Sequence, residues 1–505
     1  MKIIDTSTTL PSSLTQWERD QAYNGLDTCV THEVWQCIHP SLNNQTAATY
    51  AFSRELQGPV LEMRLRGILV DHVRKTQVIE EFHELLELLE ANLERIVLDG
   101  VGMHYFNWRS GADLQRLFYE KLQIPVIRKG GRPTVDRNAL EKMENYLIAR
   151  PIVRHIMAMR DIGKKLDLLR TEIDPDGRIR TSYNIAGTTT GRFSSSMSEF
   201  GTGGNLQNVE ESLRSIFIAD KGMKFAKFDA KSGESYVVGA IEWNLFNDSK
   251  YLDACESGDP HTATARICWP NLGWTGNLRQ DKDIAEEPYY RHYSYRFMCK
   301  KLGHGSNYGG KAETLSSQAK VPISVVIDFQ PKYFKAFPAH LQWQDWVEHQ
   351  IRTTGQLSTL TGRRRQFWGR RSSPDVLREA IAYDPQGSLA DIVNTSMLRI
   401  WRERTAILMM QDHDALTFMY PEAKEDEIIP RLQKLLPQRI ELKHGRTLEI
   451  PYDCKVGWNR GDFDKDNPGK NPDGLKDYDG HDKRKRSAQV QFLDRVFRRS
   501  SRQSR

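Results

Sequence analysis

Four side chains spaced four apart carry the first chemical signal: Arg296, Lys300, His304 and Tyr308, in the run RFMCKKLGHGSNYGG that closes on Gly309 and Gly310. If the run is helical, each step of four turns about 40°, so two cations and two rings share one broad face. An arginine and a lysine so placed can clamp a triphosphate while a ring below them supports a base or sugar. The same spacing also describes the solvated face of a basic helix. Gly303 and Gly305 each cost a helix interior roughly 1 kcal/mol, and close backbone approach to a ligand is a physical reason to keep them.

Carboxylates supply the second signal. Asp229 ends the apolar stretch FAKF and opens SGESYVVGAIEW, where Val237, Val238 and Ile241 have helical spacing. Asp414 lies at the apex of AILMMQDHDALTF, which reads as a strand, a polar turn and a strand. Both would project from a sheet edge, and brought together they could bind two Mg²⁺ ions, one lowering the pKa of an attacking hydroxyl and one neutralising a leaving pyrophosphate. Either aspartate alone is equally a turn or capping residue, and sequence by itself does not bring two such distant positions together.

The elements that must position these groups follow from periodicity. A helix over WERDQAYNGLDTCVTHEVWQC is followed by a second block from Phe52 to Arg66, a long amphipathic helix from Thr76 to Val97, and helical stretches at Gly111–Leu122 and Asp136–Arg170. Beyond Asp174-Pro-Asp-Gly the chain becomes Ser/Thr/Gly-rich and then strand-like in LRSIFIA and MKFAKFDA. Asp259 to Ala380 is mainly helical, and strands return from Ile407 to Asp453. The body is expected to end near Trp458, with the Asp/Lys/Gly/Asn/Pro-rich stretch from Gly461 disordered. Within that stretch Asp462, Asp464 and Asp466 lack the glycine turn of a calcium loop and read as a solvated linker.

Composition bounds the class. The 505 residues are 39% hydrophobic and 27% charged, with no apolar run long enough to span a bilayer and no signal-like amino terminus, so a cytoplasmic location and no membrane partner are expected. The six cysteines show neither CxxC pairing nor zinc-ligand spacing, so free thiols are expected. The net charge of +6 is misleading as an average. Residues 481–505 hold nine Lys or Arg against two Asp, which is +7 and leaves −1 for everything before them. Nucleic-acid affinity in the body must therefore come from locally arranged cations.

Taken in order, TTTGRFSS at 188–195, NLQN at 205–208, FDAKSGE at 228–234, DPHTATA at 259–265, RxxxKxxxxxxxYG from Arg296 to Gly309, DPQG at 384–387 and QDHDAL at 411–416 resemble the family A DNA polymerases, over roughly residues 10–460. The resemblance implies an α+β right-hand fold with an antiparallel palm sheet, helical fingers and a helical thumb. Residues 1–50 would be a remnant of a 3′–5′ exonuclease domain, 51–185 the thumb with the palm entry segment, 186–258 the first part of the palm, 259–375 the fingers, 376–460 the second part of the palm and 461–505 a disordered basic tail. The implied activity is primer extension with deoxynucleoside triphosphates on a DNA template, using two Mg²⁺ ions, in replication of a phage type.

Residue by residue, the resemblance makes Asp229 and Asp414 the metal-binding carboxylates, with the Ala230 carbonyl a further ligand. Arg296 and Lys300 would hold the triphosphate, with His261 nearby and His304 facing the nucleotide. Tyr308 would lie beneath the templating pair, and Glu234 would be the steric gate that leaves no room for a 2′-hydroxyl. Arg192 and Gln386 would probe the minor groove near the primer terminus, where acceptors are similarly placed for every correct pair. His413 would support the primer end, and Arg160, Lys164 and Lys165 would contact phosphates from the thumb.

The chain also departs from the family pattern. His304 stands where an aromatic residue is usual, and Ala415 where a glutamate usually follows the second catalytic aspartate. Tyr23 and Asp27 resemble the YxxxD element that closes a proofreading domain, but the upstream DxE carboxylates have no counterpart, Asp5 being followed by Thr6 and Ser7. The polypeptide alone is therefore expected to lack proofreading unless a separate exonuclease chain supplies it; a processivity subunit is the other partner left open. Two rivals stand beside the polymerase reading. A single-subunit RNA polymerase is disfavoured by Glu234, and a catalytically idle nucleic-acid-binding scaffold by two intact carboxylates.

Overall fold

MKFAKFDA forms the centre of the molecule because it alternates: Ala226, Phe228 and Ala230 are buried on one face, whereas Phe225, itself buried in a second core, Lys227 and Asp229 lie on the other. This strand, β1 (Met223–Ala230), is the middle of a five-stranded antiparallel sheet with β2 (Ile407–Asp412), β3 (Ala415–Pro421), β4 (Tyr452–Gly457) and β5 (Lys476–Asp477) in the order β2-β3-β1-β4-β5. The computed structural model describes residue 11 and residues 13–478. With segregated helices around an antiparallel sheet, the class is α+β.

At the amino-terminal side, α1 (Gln16–Ile38) begins with a Thr15/Glu18 capping box and buries none of its residues. The next long helix, α2 (His72–Val101), starts four residues earlier than its periodicity predicts because Asp71 caps it by accepting from the Arg74 N–H. It packs on α3 (Arg150–Leu169), and the two share a core of their own with Leu93, Val97, Phe118, Leu140, Ile156 and Met159. The expected continuous helix from Asp136 to Arg170 is instead two, Arg137–Met143 and α3, because Pro151 is tolerated only in a first helical turn.

Directly after β1, Ser232 takes a left-handed conformation (φ 51°) and α4 (Gly233–Phe246) begins. This helix is apolar nearly all round, so it is enclosed rather than amphipathic. A Cβ on its Gly239 would lie 2.8 Å from the backbone of Leu252 in α5 (Lys250–Glu256), so only glycine permits that approach. The chain continues through α6 (Pro260–Cys268) to the run RFMCKKLGHGSNYGG. That run is helical in three pieces: α-helical Tyr295–Met298, a π-helical turn at Cys299–Gly303, and α-helical His304–Asn307. Beneath it lie α7 (Ala312–Ala319), α8 (Ile323–Ala336), α9 (Ala339–Thr353) and α10 (Pro374–Glu403), the last packed on the sheet.

Two expectations are corrected here. The glycines of the 295–307 helix serve packing, not ligand approach: a Cβ on Gly303 would meet the Tyr333 ring at 3.2 Å, and one on Gly305 would overlap Leu315. The chain also does not lose order at Gly461. Arg460 and Leu475 are buried, the Asn459 and Asn471 side chains hydrogen-bond at 2.7 Å, and β5 pairs with β4 as the outer strand of the sheet. Little apolar content marks this segment; side-chain amides and turns hold it, which composition does not register. The basic run at 483–486 lies outside the described residues. All six cysteines are unpaired, and no described helix is long and apolar enough to cross a membrane.

Candidate active site

Strand register brings the two acids together. Asp229 is the cross-strand partner of Ala415 on one side and of Asp453 on the other, and the Ala230 N–H donates to the Asp414 carbonyl at 3.0 Å. Both carboxylates line a cleft of about 630 Å³ whose opposite wall carries Asp259, His261, Arg296, Lys300 and His304. Burial, and then the neighbouring Asp414 charge, push Asp229 up to about 6, although Lys227 stands 3.9 Å from its carboxylate. Burial likewise raises Asp414. Carboxylates crowded in a cleft attract hard cations, and Mg²⁺ characteristically takes one or two carboxylates plus substrate phosphates. Among the described residues no group of three or more His, Cys, Asp or Glu forms a self-sufficient metal cage. The donor set thus fits ions shared with a phosphate ligand.

The cationic wall is held in place by acids. Arg296 donates to Asp259 at 2.8 Å and to Glu286 at 3.3 Å, and Asp259 caps α6 by accepting from the His261 and Thr262 N–H groups. Burial alone would raise Asp259, but the Arg296 guanidinium holds it below the usual carboxylate range. Burial and the Arg296 charge push His261 down to about 4, so at neutral pH it offers a neutral imidazole, a hydrogen-bond donor without a third charge. Lys300 is exposed on the cleft wall.

Glu234, in the first turn of α4, accepts from Arg192 and from the Tyr308 hydroxyl, and His304 stands 4.0 Å away. Burial, and then Glu234, raise the Tyr308 phenol well above its ordinary value, so it remains a donor. His304 meets the Tyr308 ring edge-on at 5.1 Å. Gln386 is half-buried on α10 beside Gly387, where a Cβ would come within 3.3 Å of the Thr190 carbonyl; the helix carrying Gln386 therefore packs on the loop carrying Arg192. His413 occupies the β2–β3 turn at φ 59°, with a buried Nδ1 that has no partner among the described residues.

Other candidates are placed differently. Arg160 donates to the Val135 carbonyl at 3.1 Å, and Lys165 pairs with Glu210 at 2.9 Å above the Phe82 ring; of these cations and Lys164, only Lys164 is exposed. Tyr23 and Asp27 lie one turn apart on α1, away from the residues that line the cleft.

Sequence reasoning missed the groups that brace the hairpin bearing Asp414. Gln207 of the NLQN run donates to both the carbonyl and the side chain of Gln411 at 3.0 Å. Arg460 donates to Asp412 at 2.8 Å from a side chain only 4% exposed. Gln207 was signalled by its motif without a stated role; Arg460, the last residue assigned to the palm, belonged to no motif.

Comparison with known proteins agrees with this geometry. The thermostable DNA polymerase I of Thermus thermophilus is 24% identical over 489 residues, covering 90% of this chain and 53% of that protein. DNA polymerase I of Geobacillus stearothermophilus is 27% identical over 465 residues, covering 85% and 48%. The chain thus spans about half the length of these relatives. The solved POL domain of Pol1 from M. smegmatis, in complex with DNA primer-template and dNTP, shares the right-hand fold with a TM-score of 0.62 at 23% identity, covering 81% of this chain and 69% of that one. The profile of DNA polymerase family A matches residues 76–462, and with the sheet, cleft and strand register described above the chain belongs to DNA polymerase family A.

Proposed function

We propose that this chain is a template-directed DNA polymerase that extends a primer with deoxynucleoside triphosphates. The observation that carries the reading is one cleft with Asp229 and Asp414 on its floor and Arg296, Lys300 and His261 on its wall. Arg296 and Lys300 hold the triphosphate, and His261 donates to it without adding charge. The primer 3′-oxygen then attacks the α-phosphorus, forming the new phosphodiester as pyrophosphate leaves. Two Mg²⁺ ions held by Asp229, Asp414 and the Ala230 carbonyl would lower the pKa of that hydroxyl and neutralise the leaving charge. Glu234, fixed by Arg192 and Tyr308, occupies the space a 2′-hydroxyl needs. That favours the DNA polymerase over the RNA polymerase reading.

In this reading residues 51–185 act as thumb, 259–375 as fingers, and 186–258 with 376–460 as palm. Primer-template DNA and dNTPs are the partners, and the setting is phage-type replication in a cytoplasm. Primer extension with Mg²⁺ by wild type and Asp414→Ala tests it. Extension by the first and loss of at least 10³-fold in the second are expected of an electrostatic centre of this kind; equal, null activity in both would sink it.

A further inference from the structure

A buried polar chain, whose Tyr251 and Tyr333 border the cleft, joins the end of the 295–307 helix to α4. Asn307, 1% exposed, donates to the Tyr251 hydroxyl at 3.0 Å and accepts from the Tyr333 hydroxyl at 2.7 Å. The same Tyr333 oxygen lies 3.1 Å from Nε2 of His340, whose Nδ1 pairs with Glu242. Tyr333 spends its one hydrogen on Asn307, so His340 must donate to it from Nε2, which leaves Nδ1 and Glu242 to share a proton between them. Glu242, His340 and Tyr333 are each 1% exposed or less, and leaving any such group unpaired is costly.

The two ends of this chain give it significance. Glu242 stands on the same helix as Glu234, about 12 Å further along, and Asn307 is followed by Tyr308, whose hydroxyl returns to Glu234. The nucleotide-facing helix and α4 are therefore tied twice, once through Glu234–Tyr308 and once through Asn307–Tyr333–His340–Glu242. Gln344 adds a brace by donating to the Ser306 and Asn307 carbonyls at 3.0 Å. Purely apolar packing would fill the same volume without fixing the rotation of the helix about its axis, and that rotation sets where Tyr308 meets Glu234.

We propose that Asn307, Tyr333, His340 and Glu242 are positioning residues that fix Tyr308 against Glu234 and so set the affinity and sugar selectivity for the incoming nucleotide. The proposal rests on the polymerase reading. Its test is Tyr333→Phe, which removes one hydroxyl and keeps the ring, beside Asn307→Leu and the double variant. Each is read by dNTP KM, kcat, the ribonucleotide-to-deoxynucleotide ratio, and hydrogen exchange of amides 303–309. Tyr333→Phe removes the bonds to Asn307 and His340; loss of one buried bond corresponds to about a tenfold change, so KM and exchange should rise by at least about that factor, with kcat within about twofold.

Because Tyr333 and Asn307 share one bond within the same chain, the effect of the double variant should fall short of the product of the two single effects. A Tyr333→Phe enzyme with unchanged KM, selectivity and exchange overturns the proposal, as do effects that multiply in the double variant. A wild type that extends no primer would sink the polymerase reading and take the selectivity role with it, whereas its exchange difference would still report the tie between the helices.

Discussion

The Ala230 N–H donates to the Asp414 carbonyl at 3.0 Å, so the β2–β3 turn is latched to the end of β1 at the level of the two acids. The backbone therefore holds the two acids near one another, and their mutual repulsion is built into the fold.

That repulsion has a pH signature. Asp229 is raised to about 6 by burial and by Asp414, against about 4 in an unfolded chain. The folded protein binds the proton more tightly, so this group's stabilising contribution is complete below about pH 4 and is lost as pH rises through about 6. Its side chain is 49% exposed, so screening reduces the effect to about 1 kcal/mol. In chelator at pH 8, Asp229→Asn should melt above the wild type, and the difference should vanish on acidification to pH 4. A gap that grows toward low pH would contradict the assignment.

Glu234→Ala removes the acceptor for both Arg192 and Tyr308 and opens the space the carboxylate fills. Ribonucleotide incorporation relative to deoxynucleotide should rise at least about tenfold, the factor that corresponds to roughly 1.4 kcal/mol of lost discrimination. Competitive single-nucleotide extension measures the ratio. An unchanged ratio would remove Glu234 from sugar selection.

Arg460 and Asp412 form an ion pair with side chains 4% and 15% exposed, beside the turn that carries His413 and Asp414. Removing one member of a buried pair leaves an uncompensated charge and costs about 3 kcal/mol, whereas replacing both by apolar residues of similar size is often neutral. Arg460→Met should therefore lower the melting temperature and primer extension together, and adding Asp412→Val should recover most of the stability. If the single and double variants are equally stable, the pair has no structural role.

How much of this was legible depends on the residue. That Asp229, Asp414 and Arg296 would share a cleft was readable because each sits in an ordered series of motifs, and MKFAKFDA because strand alternation needs only local information. The roles of Gly303 and Gly305 were not, since the side chains they make room for, Tyr333 and Leu315, come from later helices. The π-helical turn at Cys299–Gly303 also escaped, because four-residue spacing says nothing about a turn that admits an extra residue. Arg460 escaped because its partner, Asp412, is remote in sequence and the stretch after it looks like linker. Long-range polar pairing leaves almost no periodic trace.

Different contacts separate two lysines of α3 that look alike in sequence. Lys165 is already neutralised by Glu210 at 2.9 Å and rests on Phe82 at 5.5 Å, while Lys164 is exposed. A cation that meets a phosphate releases condensed counterions, and each such contact contributes about −0.9 to the slope of log affinity against log salt. A lysine that must first give up a carboxylate gains little from the exchange. Lys164→Ala should therefore flatten the salt dependence of primer-template binding by about one contact, while Lys165→Ala should leave the slope as it is. Fluorescence anisotropy across a salt series distinguishes them, and a reversed order would mean that the Lys165–Glu210 pair opens to reach DNA.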